Sequence, residues 1–229
     1  MNTKKSGSLT EEAYTQLRAE VLACRLVPGQ KLIIADLCTS LGVSLGAVRE
    51  ALSRLTSEGL VVAEPRKGFK VAPITEAELL DITRVRATIE SLCLESAIKK
   101  GDLKWETGIV STLFELSRLS LQDPGDPTRV SEVWADTHRR LHEALVAACD
   151  SPWLLRLRSV LFMQSERYRR VSVPLDRAGR NIGAEHKSIA DAAIARNTEK
   201  ACSALRDHLE KTTRILIRAD VVNLYAKKN

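Results

Sequence analysis

Four histidines, His138, His142, His186 and His208, are all that this 229-residue chain contains, and every one lies in its C-terminal half. His138 and His142 stand four residues apart, a spacing that puts both on one helical face together with Trp134, Leu141 and Leu145. His186 shares its face with Ile182, Ile189 and Ala190, and His208 with Leu205, Leu209 and Thr212, so each ring is expected to point inward. A buried imidazole without a partner costs roughly 1–3 kcal/mol. Singly, each ring can meet that cost through a carbonyl, a carboxylate or a water. Jointly, four inward rings suit a divalent cation, with two ligands from one helix and one from each of two others. Such a nitrogen-rich site inside a helical bundle favours Zn²⁺ or Ni²⁺.

A second chemistry is concentrated near the N-terminus. Arg49 and Arg54 fall on a short helix and can meet bases or phosphates, while Arg66 and Lys67 sit at a turn from which they can reach a nucleic-acid backbone. Gly68 beside them permits close approach. The net charge of +6 and a pI near 9.2 suit an anionic partner, although ordinary proteins share such a balance. No HExxH, Ser-His-Asp order or Gly-rich phosphate loop supplies the rest of an active site. A metal-dependent hydrolase or hydratase built on the histidines is therefore the alternative function, and it leaves the N-terminal residues unexplained.

The elements that must carry these groups follow from periodicity. A helix is expected from Thr10, with Tyr14, Leu17, Val21 and Cys24 inward, ending before Pro28-Gly29. Lys31-Leu32-Ile33 suits a short strand. Leu37 and Leu41 mark a second helix closed by Gly42, and Ser44 caps a third. Val48, Ala51, Leu52 and Leu55 form its apolar stripe, leaving Leu45, Gly46, Arg49 and Arg54 on other faces. Ser44, Leu45 and Gly46 then lead a helix that can enter a major groove. Leu60 to Ala63 and Phe69 to Val71 read as a hairpin around Pro65-Arg66-Lys67-Gly68, completing a winged helix-turn-helix over residues 1–73.

Residues 74–229 show no strand-like alternation. A capping box at Thr75-Glu76-Ala77-Glu78 opens a long helix, and further helices are expected near 102–121, 128–149, 152–171, 180–196 and 198–225. The fold class is mainly α: the winged unit followed by an antiparallel bundle of six to seven helices over residues 74–229. Cys24, Cys38, Cys93, Cys149 and Cys202 form no CxxC pair and read as small core residues in a reducing compartment. Lys4 and Lys5 precede no apolar run, and nowhere do about 18 apolar residues run together. A cytoplasmic protein is expected, nucleoid-associated when bound to DNA.

The string Leu41-Gly42-Val43-Ser44, Val48-Arg49-Glu50-Ala51-Leu52 and Glu58-Gly59-Leu60-Val61 resembles the GntR family of bacterial regulators over residues 9–73. Arg49 and Gly68 match that family's pattern. Ala35 and Leu45 stand where an arginine is common, and Gly46 and Ala47 where threonine or proline is usual. Two guanidiniums, each worth roughly 1–3 kcal/mol of base discrimination, are thus missing. Arg86-Ala87-Thr88-Ile89-Glu90, His142-Glu143-Ala144-Leu145, Pro152-Trp153-Leu154, Glu185-His186 and His208-Leu209 resemble the FCD ligand-binding domain of FadR-type members over residues 78–218. The resemblance implies a transcription regulator, expected to be a repressor. It would act as a homodimer on a roughly palindromic double-stranded operator and respond to a small organic acid bound at a metal.

In metal-containing members of that group three histidines and one aspartate bind the ion. His142, His186 and His208 fall on the histidine positions, and His138 stands at the aspartate's. Asp136, six residues before His142, projects to another side of the helix. Exchanging an anionic oxygen for a neutral nitrogen makes the ligand set softer, favouring zinc or nickel over manganese. Arg86 has two readings of equal weight, a contact to the effector carboxylate or an ion pair with Glu90.

Overall fold

The apolar stripes of the N-terminal helices converge on one small core. The computed structural model describes residues 6–175 and 179–220. α1 (Ser6–Leu22) packs against α3 (Leu45–Ser57), burying Ala13, Leu17 and Val21 with Val48, Ala51, Leu52 and Leu55. α2 (Ile34–Leu41) is stopped by Gly42 at φ 64, a left-handed conformation natural to glycine, whose N–H donates to the Cys38 carbonyl. Ser44 then caps α3, its hydroxyl accepting from the Ala47 amide at 3.3 Å. β1 (Lys31–Leu32), β2 (Val61–Glu64) and β3 (Gly68–Val71) form an antiparallel sheet in the order β1-β3-β2, with Leu32 opposite Phe69 and Val61 opposite Val71.

This compact unit ends at Glu76, and a second spans Ala77–Ala219. The second is wholly helical apart from one isolated bridge: α4 (Glu76–Lys100), α5 (Leu103–Ser117), α6 (Glu132–Val146), α7 (Pro152–Ser172), a 3₁₀ turn at Val173–Leu175, α8 (Ile182–Ile194) and α9 (Thr198–Arg218). From α5 onward each helix is started by a side chain accepting the amide three residues on: Asp102, Ser131, Ser151, Asn181 and Asn197. Each such cap contributes about 1 kcal/mol and fixes where the next helix begins. Leu94, Ala97, Ile109, Leu141, Leu145, Ile189, Ala201 and Leu205 fill the core between them. Among the described residues no helix is long and apolar enough to cross a membrane.

Several boundaries differ from the periodicity. α1 begins at Ser6, ahead of Thr10. The helices expected at 102–121 and 128–149 contract to Leu103–Ser117 and Glu132–Val146. Between them Asp123 accepts the amides of Gly125 and Asp126, and Gln122 bridges Val130, so backbone groups that would have extended either helix are satisfied in a loop instead. The last helix is described to Arg218; the expected stretch from 221 to 225 lies outside the described residues.

Candidate metal centre

α6 carries His138 and His142 one turn apart, α8 brings His186 and α9 brings His208, and the four rings meet in the bundle interior. None is more than 6% exposed. One nitrogen from each lies within 4.8 Å of those of the others. Ring centroids are 4.6 Å apart for His138–His142 and for His186–His208, and 4.9 Å for His138–His186. Trp134 stacks on His138 at 4.8 Å, nearly parallel. Phe162 flanks His142 at 5.8 Å.

Among the described residues, both ring nitrogens of His138, His142 and His186 lack a hydrogen-bond partner. Protein interiors rarely tolerate one such group; each neutral ring has one lone-pair nitrogen and one N–H, so these three rings offer three lone pairs to an electron-pair acceptor. Burial, reinforced by the neighbouring rings and by buried arginines, pushes all three pKa values well below the usual histidine range, so the rings are neutral ligands at neutral pH. His208 is oriented differently. Its Nδ1 lies 2.8 Å from Glu185 Oε2 and 3.1 Å from Arg180 Nη2. A single nitrogen cannot donate to the carboxylate and accept from the guanidinium together. Arg180 already serves Glu185 at 2.6 Å and the His208 carbonyl at 2.7 Å, so Nδ1–H donates to Glu185 and Nε2 is left for a ligand role. These residues fit a divalent metal ion, and Asp136 does not join them: it is exposed and paired with Arg139 at 2.6 Å.

Beside the rings lies a cavity of about 30 Å³ whose wall includes Arg86, Ser165, Arg169, His138 and His208. Arg86 is buried, donating to Glu90 at 3.1 Å and to Ser165 at 2.5 Å, with its guanidinium 4.7 Å over Phe162. Glu90 also accepts from Arg158 at 2.9 Å. The two anticipated roles of Arg86 are therefore compatible, since the Glu90 pair holds a guanidinium that still faces the cavity. Arg158, Ser165, Arg169 and Glu185 escaped the sequence reading. Only Glu185 left a signal, as the neighbour of a ligand histidine.

In the first unit Ser44, Leu45, Gly46 and Arg49 are exposed over the first turns of α3. Arg66, Lys67 and Gly68 are exposed at the hairpin tip, where Arg66 (φ 64) and Gly68 (φ 92) turn the chain. Arg54 is placed otherwise than its grouping with these residues suggests. Its Nη1 pairs with Glu11 at 2.6 Å and its guanidinium lies 3.6 Å over the Tyr14 ring, which fastens α3 to α1. Ala35 is exposed on α2.

Residues 9–71 match the model for bacterial regulatory proteins of the gntR family, and residues 81–211 match the FCD domain. The chain is similar to the uncharacterized HTH-type transcriptional regulator BphR of Paraburkholderia xenovorans (strain LB400), 37% identical over 91% of this chain and 85% of that protein. It is also similar to the HTH-type transcriptional repressor GlaR of Escherichia coli (strain K12), 32% identical over 86% of this chain and 91% of that protein. Among solved structures E. coli McbR/YncC shares the fold with a TM-score of 0.70, at 21% identity, over 96% of this chain and 99% of that one.

Proposed function

The chain belongs to the gntR family of bacterial regulatory proteins and carries an FCD domain, and on that premise we propose that it is a metal-containing, ligand-responsive repressor. Regulators of this family bind DNA operators and are not enzymes, and FCD domains among them often bind metal. For this chain the reading is that Ser44, Leu45, Gly46 and Arg49 enter a major groove, while Arg66, Lys67 and Gly68 grip the adjacent backbone. The protein works in the cytoplasm as a homodimer, on a roughly palindromic operator.

In the second unit His138, His142, His186 and the Nε2 of His208 hold one divalent ion, Zn²⁺ or Ni²⁺ by the chemistry of an all-nitrogen set. When bound, the ion supplies Lewis-acid attraction for an anionic oxygen. Arg86 orients the carboxylate of a small organic acid beside the rings, through an N–H directed at the cavity. The observation that carries the reading is four buried imidazoles, each offering one ligand nitrogen within 4.8 Å of the others, gathered inside an FCD domain. A hydrolase on the same histidines finds no supporting nucleophile or relative.

The test is operator affinity, read by fluorescence anisotropy across a panel of organic acids, with and without chelator. At least one acid should change affinity in the metal-loaded protein and lose its effect after chelation. Operator binding that no acid alters would reduce the metal to a structural part and sink the sensor reading.

A further inference from the structure

Two guanidiniums from different helices line the cavity beside the histidines, Arg86 of α4 and Arg169 of α7. Both are at least nine-tenths buried, and each keeps one terminal nitrogen without a hydrogen-bond partner, Nη2 of Arg86 and Nη1 of Arg169. Arg86 Nη2 approaches Glu90 at 3.1 Å without hydrogen-bond geometry. Arg169 is held in place by a two-pronged pair with Glu166, at 2.8 and 2.7 Å, and lies 5.2 Å over Trp134, the ring that stacks on His138. We propose, on the reading that an organic acid is the effector, that this acid is a short-chain dianion. One carboxylate engages Arg86 and the second engages Arg169.

Charge compensation favours the same ligand. The cavity's arginines and the groups paired with them, the buried Arg167 left out, bring three buried positive charges, Arg86, Arg158 and Arg169, against two carboxylates, Glu90 and Glu166. Glu185 is already shared by Arg180 and Lys211, and an imidazole ligand brings no charge to an ion. One positive charge is already in excess, a divalent ion adds two, and no carboxylate among the four rings offsets them because His138 occupies the fourth position. Uncompensated buried charge is costly. A second carboxylate cancels one more unit than a monoacid does, and gives Arg169 Nη1 a charge-assisted partner. The cavity, about 30 Å³, takes only one or two water-sized groups, so a diacid enters only by displacing lining side chains, which favours the shortest chain between the two carboxylates.

Isothermal titration calorimetry of the zinc-loaded full chain, with acid pairs matched in length, tests this. Malonate is set against propionate, succinate against butyrate and glutarate against valerate. In at least one pair the diacid should bind about tenfold or more tightly than its monoacid. Arg169→Gln should cut that preference to about threefold or less while monoacid affinity holds. Since a lone buried Glu166 could unfold that variant, Glu166→Gln/Arg169→Gln is measured beside it, with thermal melts confirming the fold. Monoacids and diacids that bind equally in every pair overturn the dianion but keep an acid effector, and a preference surviving in both variants overturns the role of Arg169. If none of the acids binds, the acid-effector reading falls as well.

Discussion

Lowering the pH of the metal-stripped protein from 7 to 5.5 should remove a large share of its stability. His138, His142 and His186 have pKa values driven well below the ordinary range, chiefly by burial and then by neighbouring rings and arginines. In the unfolded chain each titrates near 6.5. Below that pH the unfolded state takes up protons that the folded state refuses. Stability is therefore full above about 6.5 and falls with pH until the depressed folded values are reached. Each ring contributes on the order of 1 kcal/mol of loss between pH 7 and 5.5, so the three remove a few kcal/mol, against the ~5–15 kcal/mol that holds a domain of ordinary stability. Glu185, although desolvation acts to raise it, is held far below the usual carboxylate range by hydrogen bonds from His208 and Arg180. Urea unfolding in the presence of chelator, followed by far-UV circular dichroism at a series of pH values, measures the slope. A His142→Leu/His186→Leu variant should lose about two-thirds of it. An unfolding free energy that stays constant between pH 7 and 5.5 would refute three buried neutral rings.

Metal analysis of the purified protein should give about one ion per chain, falling to background in His142→Ala/His186→Ala, because two of four ligands on different helices are gone; equal occupancy in both would remove the site. Arg49→Ala should abolish specific operator binding while circular dichroism and thermal melting stay unchanged, since the side chain is exposed on α3. Arg66→Ala/Lys67→Ala should weaken all DNA sequences alike and lower the slope of log affinity against log salt by about 2, the signature of two lost phosphate contacts. Gly101→Ala should destabilise the bundle by about 1–3 kcal/mol in urea unfolding, because the added Cβ would lie 2.2 Å from Trp105 Cε3 and 2.8 Å from the Ala97 carbonyl oxygen; a neutral result would mean that the Trp105 ring moves freely.

The winged unit could be read directly because its signals are local: Gly42 and Ser44 sit at helix ends whose backbone demands are met within four residues. The histidines were legible for a related reason, since inward placement follows from helical spacing on α6, α8 and α9. Their mutual distance was not, being set by how three helices pack. α7 defeats pattern reading outright. Trp153, Leu157 and Val160 are exposed, while Arg158, Glu166 and Arg169 are buried. Those charges are tolerated because Glu90, from a helix 68 residues earlier in the chain, pairs with Arg158, and Glu166 pairs with Arg169. Arg54 shows the converse: a basic residue grouped by sequence with the expected DNA contacts pairs with Glu11 and lies over the Tyr14 ring.

The burial of the four rings bears on time as well as on energy. His142 and His186 are only 1% exposed, and the ligands come from three separate helices. An ion held there could leave only when those helices part, so its exchange rate would follow the rare opening of the bundle rather than the lifetime of a metal–nitrogen bond. Each molecule would then keep whichever ion was at hand when its helices first closed. Zinc and nickel would compete during folding, and later swings in their supply would go unnoticed by protein already made.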